Sequence, residues 1–309
     1  MDSISDLALF ELVARQGSLT AAARELGVTT PSVSKRLSRL EKRLGVRLLN
    51  RTTRQISLTN EGELYLVQGS RILADIAELE QAVTSSRAEP AGLLRVNASF
   101  GFGRTHVAPA VARFADRYPA IEVQLQLSDR PMSLPEQAFD VGIRFGELPD
   151  ARIHARRLLR NRRLVCAAPG YLQRHGVPKT PRELAQHQCL VLRENDSAYG
   201  TWHFARGRQE EAVKVRGPLS SNDGFAVLQW ALNGNGVAIR SQWEVDPYLG
   251  SGALVELLPD WALPNADIYA VYLERRQRSA RLRTFIDFLA ESLPKSVARA
   301  GKNPGGSIK

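Results

Sequence analysis

Apolar positions in the first sixty residues recur at helical spacing. Val33, Leu37, Leu40 and Leu44 return every three or four residues, which predicts a helix over 31–44 with these four as its buried stripe. Thr30 is the expected cap, with Pro31 at the first helical position and Gly45 as the stop. Before it, Ser18 can cap a shorter helix over Leu19–Leu26, and Gly27 supplies the tight turn. The small side chains Ala21, Ala22 and Ala23 allow the two helices to approach closely. The run VRLLNRTTRQISLT then predicts two short strands around a turn that carries Arg51, Thr52, Thr53 and Arg54.

Residues 60–87 predict one long helix. Asn60 with Glu63 gives a start resembling a capping box, and Thr59 is an alternative cap. Tyr65, Gly69, Ile72, Ile76, Leu79 and Val83 alternate at four- and three-residue spacing, a heptad-like seam. A lone helix has no core in which to bury such a stripe. It packs back on its own domain or pairs with another chain, and pairing is the preferred reading. Ala88-Glu89-Pro90-Ala91-Gly92 ends the helix.

From Leu93 the rhythm becomes short apolar runs alternating with helical ones: LLRVNAS, GRTHVAPAVARFADRY, IEVQLQL. Further strand candidates are VGIRF, RLVCAA, CLVLR, AVKVRG, GVAIR, ALVELL and DIYAVYL, with a last helix near SARLRTFIDFLAESL. This alternation predicts an α/β architecture with mostly parallel strands. The expected organisation is an N-terminal helical domain over 1–59, a linker helix over 60–88 and a hinge at 89–92. A two-lobed α/β domain follows over 93–295, then a disordered tail over 296–309.

Charge narrows the function. The 309-residue chain carries a formal +10, and between residues 31 and 60 eight basic side chains (Lys35, Arg36, Arg39, Lys42, Arg43, Arg47, Arg51, Arg54) stand against one acid, Glu41. An ordinary solvated helix face mixes its signs, so this concentration favours a polyanion over a merely charged surface. A helix of this kind fits the major groove, with its first residues reaching base edges and its flanks holding phosphates. Thr29, Thr30, Pro31, Ser32, Ser34, Lys35, Arg36, Arg39, Arg51, Thr53 and Arg54 are the candidate contacts to double-stranded DNA.

Other chemistries find little support. The five histidines (His106, His154, His175, His187, His203) show no metal-ligand spacing, and no nucleophile–base arrangement is visible, so neither an enzyme nor a metal or other cofactor is expected. Cys166 and Cys189 sit in apolar runs, which suits buried thiols in a reducing compartment more than a redox sensor. Gly101-x-Gly103 invites a nucleotide reading. His106 stands where the third glycine is needed, and Glu122 opens its strand instead of closing it. The N-terminus has no basic leader before an apolar block, and no stretch approaches a membrane span. A cytoplasmic location is expected, with no membrane partner.

The run FELVARQGSLTAAARELGVTTPSVSKRLSRLEKRLGVRLLNRTTRQISLTNEG closely resembles the N-terminal signature of LysR-type transcriptional regulators, and the later α/β layout resembles theirs too. The resemblance implies a winged helix-turn-helix, a long dimerisation helix and an effector-binding domain like a periplasmic binding protein. It also implies a dimer or tetramer. By position, Thr29, Pro31, Ser34 and Lys35 fall where family members contact DNA, and Arg54 falls on the wing that enters the minor groove. Thr30 departs from the glutamine found in many members, which leaves base contact at that position open.

Within the expected effector domain, two strand-to-helix junctions attract attention, because helix N-termini offer free N–H groups to anions. One is Ser99 followed by Phe100, Gly101 and Phe102; the other is Ser220, Ser221 and Asn222. A cleft between two lobes brings both toward one ligand, with Ser128, Arg144, Phe145, Thr201 and Trp202 as further walls. Arg144 alternatively holds a carboxylate of its own lobe, and Phe100, Phe102 and Trp202 alternatively belong to the core. ASFGFGR, GPLSSN and QWALNGNGVAIRSQWEV are similar to the subgroup containing the D-malate-degradation regulator and its tartrate-linked relatives. That implies a small hydroxy-dicarboxylic acid, such as malate or tartrate, as effector.

Overall fold

Helices α1 (Ser3–Gln16), α2 (Leu19–Glu25) and α3 (Thr30–Leu44) pack around Phe10, Val13, Ala22, Val33, Leu37 and Leu40 in the first unit of the chain. In this computed structural model, residues 3–51, 56–84, 90–128, 139–146, 153–193, 200–273 and 279–300 are described. Contacts cluster in two units, Met1–Glu89 and Pro90–Lys309.

Ser18 caps α2 as its sequence suggests, its hydroxyl accepting from Ala21 N–H at 3.3 Å. The start of α3 differs by one residue. Thr29, not Thr30, holds the extended cap conformation, without a side-chain hydrogen bond, and Pro31 lies one position further in. Gly45 ends the helix at φ +74°, a conformation that favours glycine. The expected buried stripe stops at Leu40: Leu44 is 36% exposed. Strands β1 (Leu49–Arg51) and β2 (Ile56–Leu58) pair antiparallel as a small wing; Thr53 and Arg54, between them, lie outside the described residues.

Helix α4 (Asn60–Thr84) is started by Thr59, whose hydroxyl accepts from Gly62 N–H at 3.0 Å and donates to Arg47 O at 2.7 Å. The Asn60–Glu63 alternative is therefore not the cap. Two glycines let α4 lie close to its own unit. A Cβ at Gly62 would sit 2.0 Å from Leu48 O, and one at Gly69 would sit 2.3 Å from Leu7 Cδ1. Tyr65 meets Phe10 edge-on, with ring centroids 5.4 Å apart. The heptad seam thus divides. Tyr65 and Gly69 face α1, whereas Ile72 is 51% exposed and Leu64 and Val67 are exposed as well. The side chains of Leu79 and Val83 lie outside the described residues.

The second unit holds two five-stranded sheets. The first, in order β4-β3-β5-β14-β6, combines β3 (Gly92–Ala98), β4 (Ile121–Leu127), β5 (Val141–Phe145), β6 (Ile153–Leu159) and β14 (Ile268–Leu273). The second, β11-β8-β12-β7-β13, combines β7 (Arg163–Ala167), β8 (Cys189–Leu192), β11 (Ser220–Ser221), β12 (Val237–Ser241) and β13 (Val255–Leu257). A hairpin of β9 (Thr201–Arg206) and β10 (Gln209–Lys214) lies apart from both sheets.

The expectation of mostly parallel strands fails in an ordered way. In each sheet two neighbouring pairs are parallel and two antiparallel. A parallel partner needs a long crossover connection. β14 instead returns from the second lobe and inserts antiparallel between β5 and β6. The chain crosses between lobes after β6 and again before β14, and Asn161 ties the two crossings together. Its N–H donates to Asp267 Oδ1 at 2.9 Å and its amide to Ala266 O at 2.9 Å.

The first lobe's core is built from Leu94, Val96, Phe114, Ile143, Phe285 and Leu289. A continuous helical run faces it: α5 (Phe100–Phe102), a π turn over Gly103–Val107, and α6 (Ala108–Arg117). The second lobe carries α7 (Pro169–His175), α8 (Gly224–Leu232) and α9 (Gln242–Gly250). The last helix, α10 (Ala280–Ala300), runs past the expected boundary, so residues 296–300 are helical and do not belong to a disordered tail. No helix among the described residues is long and apolar enough to cross a membrane.

Candidate DNA-binding face and effector cleft

Helix α3 hides Val33, Leu37 and Leu40 and leaves Pro31, Ser32, Lys35, Ser38 and Arg39 exposed, with Thr29 just before them. Thr30 and Ser34 are half-buried on the same face. The helix therefore offers a short polar start followed by cations, the arrangement that major-groove reading requires. Arg36 departs from that set. Its guanidinium donates to Ser5 Oγ at 2.7 Å and to Asp6 Oδ1 at 3.2 Å, and Arg43 stands 3.8 Å from the other oxygen of Asp6. Asp6 is nearly buried, so Arg36 fastens α3 to α1 and is not a free phosphate contact. Arg51 closes β1, and nothing of its side chain is described.

Between the two lobes of the second unit lies a cleft of about 80 Å³. Of the residues expected around an effector, it is lined by Ser99, Phe100, Gly101, Phe102, Phe145 and Asn222. Both junctions read from the sequence therefore converge on one space. Its small volume suits a compact ligand, against roughly 300–1,000 Å³ for the pockets of drug-sized molecules.

The other expected walls stand elsewhere. Arg144 folds over Gly142 and donates to Asn97 Oδ1 at 2.6 Å. Asn97 in turn donates to Ser128 Oγ at 3.1 Å, so Arg144, Asn97 and Ser128 form a bracket within the first lobe. Burial lowers the Arg144 pKa to about 10. Trp202 is buried in the second lobe's core, and Thr201 pairs with Lys214 in the hairpin. Ser221 accepts from Asp223 N–H at 3.0 Å, shaping the turn into α8 without lining the cleft.

Sequence reasoning missed the second lobe's share of the wall: Arg163, Leu192, Gly224, Ile239, Arg240, Ser241 and Trp243. Arg240 is buried in an ion pair with Glu244, at 2.5 and 2.7 Å, and a Cβ at Gly224 would sit 2.2 Å from its Nη2. The i,i+4 spacing of Arg240 and Glu244 signals such a pair, but it spans the end of β12 and the start of α9, where helical spacing is not an obvious guide. Trp243 packs on Phe102 and His106, with centroids 5.3 and 5.2 Å away. Phe102 and Trp243 line the cleft, and His106 packs behind them. His106 is buried, its pKa is lowered by that burial to about 4, and Nδ1 lies 3.3 Å from Ser296 Oγ.

Both thiols are buried, and desolvation pushes each pKa up to about 12. Thiolate is the reactive species, so the burial that raises both pKa values also suppresses the reactive form of Cys166 and Cys189.

A basic helix-turn-helix joined to a two-lobed cleft domain defines a ligand-responsive DNA-binding regulator. Residues 4–63 match the model of the bacterial regulatory helix-turn-helix protein, lysR family, and residues 87–294 match that of the LysR substrate binding domain. The chain belongs to the LysR family: it is a transcription regulator that binds DNA and an effector, and it is not an enzyme.

Among curated relatives, the HTH-type transcriptional activator TtdR of Escherichia coli K12 is 43% identical, covering 92% of each chain. The HTH-type transcriptional regulator DmlR of the same strain is 41% identical, covering 93% of this chain and 94% of its own. The structure of CrgA, a LysR-type transcriptional regulator from Neisseria meningitidis, aligns with TM-score 0.59 and 36% identity, over 95% of this chain and 99% of that one.

Proposed function

We propose that the effector is a small hydroxy-dicarboxylic acid, malate or tartrate in type, held in the interlobe cleft. The carrying observation is the lining itself. Hydroxyls and an amide from both lobes (Ser99, Ser241, Asn222) stand with Arg163 and with Arg240, the latter paired with Glu244, around a space too small for a nucleotide. Such groups suit a carboxylate at each end of a four-carbon acid and a hydroxyl between. The subgroup likeness of ASFGFGR, GPLSSN and QWALNGNGVAIRSQWEV supports the same class.

In this reading residues 1–59 grip DNA through α3 and the wing, and 60–88 link and pair two copies. The remainder senses the acid, so that ligand bias between two lobe arrangements shifts the spacing of paired DNA-binding units. The protein works in the cytoplasm, where operator and metabolite meet.

Calorimetry of the full-length chain with malate and tartrate tests the reading. Saturable binding weakened by Ser99→Ala and by Asn222→Ala, with operator retardation in the absence of acid unchanged, is the expected result. Binding indifferent to both substitutions would place the effector elsewhere.

A further inference from the structure

A second concavity lies in the first lobe, outside the interlobe cleft. It runs between α6 and α10, has a volume of about 390 Å³, and is lined by Arg113, Arg117, Phe288, Glu291, Ser292, Lys295 and Ser296. The cleft between the lobes is far smaller.

Three cations face this groove against one carboxylate, and among the described residues none of the three is joined to an acid by an ion pair. Arg113, Arg117 and Lys295 are exposed, so each can bend toward a ligand without giving up an ion pair. The guanidinium of Arg117 rests over the Tyr118 ring at 5.5 Å, which limits its freedom before any ligand arrives. The Ser292 hydroxyl oxygen is buried and has no hydrogen-bond partner among the described residues. A buried hydroxyl without a partner is costly.

We propose that this groove is a second ligand site, taking a small polyanion, either a polycarboxylate or a phosphorylated metabolite. Two helices wall it and Phe288 contributes an apolar side, so it favours a compact molecule over an extended polymer. Fork-shaped guanidiniums at Arg113 and Arg117 match carboxylate and phosphate oxygens alike, and Lys295 adds a mobile point charge. Ser296, on the same wall, contacts His106, which packs on the cleft residues Phe102 and Trp243. The groove and the effector cleft therefore share one buried side chain between them.

The test is titration calorimetry of the full-length chain with citrate and, separately, with fructose 1,6-bisphosphate. It uses wild type, the double variant Arg113→Gln/Lys295→Gln, the single variant Arg117→Gln, and Ser99→Ala. The expected result is saturable binding of at least one probe, weakened about tenfold or more in the double variant as charge-assisted hydrogen bonds are removed, weakened also in Arg117→Gln, and unchanged in Ser99→Ala. Citrate alone binding assigns the site to polycarboxylates, and the bisphosphate alone assigns it to phosphoryl groups. No saturable binding of either probe overturns the proposal. So does affinity preserved in both charge variants, or binding abolished only in Ser99→Ala. The substituted side chains are exposed, so an unchanged melting temperature is expected alongside.

Discussion

Arg104, in the π turn of the first lobe, reaches Asp223, the residue that caps α8 in the second, with Nη2 and Oδ2 3.5 Å apart. The pair bridges the lobes beside the cleft, between the two junctions that carry Ser99 and Asn222. Asp223 serves twice, because its other oxygen accepts from Phe225 N–H at 3.0 Å and so starts α8. Arg104 is also held locally, its Nε donating to Phe100 O at 3.3 Å.

Removing either partner should therefore give unequal results. The ion pair is substantially exposed, and such pairs contribute about 0–1 kcal/mol. Arg104→Ala should leave the melting temperature nearly unchanged while altering effector affinity and its salt dependence. Asp223→Ala also loses a helix cap, worth about 0.5–2 kcal/mol, so it should lower thermal stability as well. Equal effects of the two substitutions on both calorimetric readouts would remove the clasp.

Lys35 and Arg36 are neighbours on α3 with different tasks. Lys35→Ala should weaken operator binding and flatten its salt dependence, by roughly 0.9 in the log–log slope for each phosphate no longer neutralised. Arg36→Ala should chiefly lower the stability of the N-terminal unit, since it removes the hydrogen bonds to Asp6 and Ser5 and leaves Asp6 with only the longer pair to Arg43. Fluorescence anisotropy across a salt series, set beside thermal melts, separates the two. A reversed ranking would return Arg36 to the DNA face.

His106 sets a pH dependence. Its folded pKa is about 4, against 6.5 when unperturbed, because burial disfavours the imidazolium. Between those values the unfolded chain binds a proton that the folded chain does not, so stability falls as pH drops from 6.5 toward 4. The full loss is about 3 kcal/mol by linkage. His106→Phe should flatten that stretch of the stability profile. Denaturant melts at pH 7 and pH 5 measure it, and identical pH slopes in wild type and variant would remove His106 as the cause.

Much of this was legible in residue order. Val33, Leu37 and Leu40 announced α3 by spacing, and Ser99 and Asn222 announced the cleft because strand ends and helix starts recur there in α/β folds. The failures came where tertiary contacts outweighed local pattern. Arg36 carries the same charge as Lys35, and only the approach of Asp6 on α1 assigns it a partner. Arg144 lies beside strand-end residues, yet Asn97 from a neighbouring strand claims it. The second lobe's wall, Arg163 and Arg240 to Trp243, depends on how the chain crosses between lobes, and that crossing leaves no periodic trace. Antiparallel insertion of β14 escaped for the same reason.

The linker helix offers the last prediction, because α4 divides its apolar seam between two partners. A Cβ at Gly69 would overlap the Leu7 side chain, so any side chain there must push Leu7 aside in the packing between α4 and α1. Gly69→Val should destabilise the N-terminal unit by overpacking, typically about 1–3 kcal/mol, and the cost appears whether or not the chain pairs. Ile72 and Ile76 lie further along, beyond the contacts with α1, and Ile72 is left exposed along with Leu64 and Val67. Ile72 keeps the seam's heptad spacing yet is exposed, which calls for a second copy to cover it. Ile76→Asp should then dissociate the assembly, since an unpaired charge in a packed seam is costly, while the N-terminal unit stays folded. Light scattering and circular dichroism on both variants decide it. A monomeric wild type would refute pairing through α4, and so would an Ile76→Asp variant that keeps the wild-type mass.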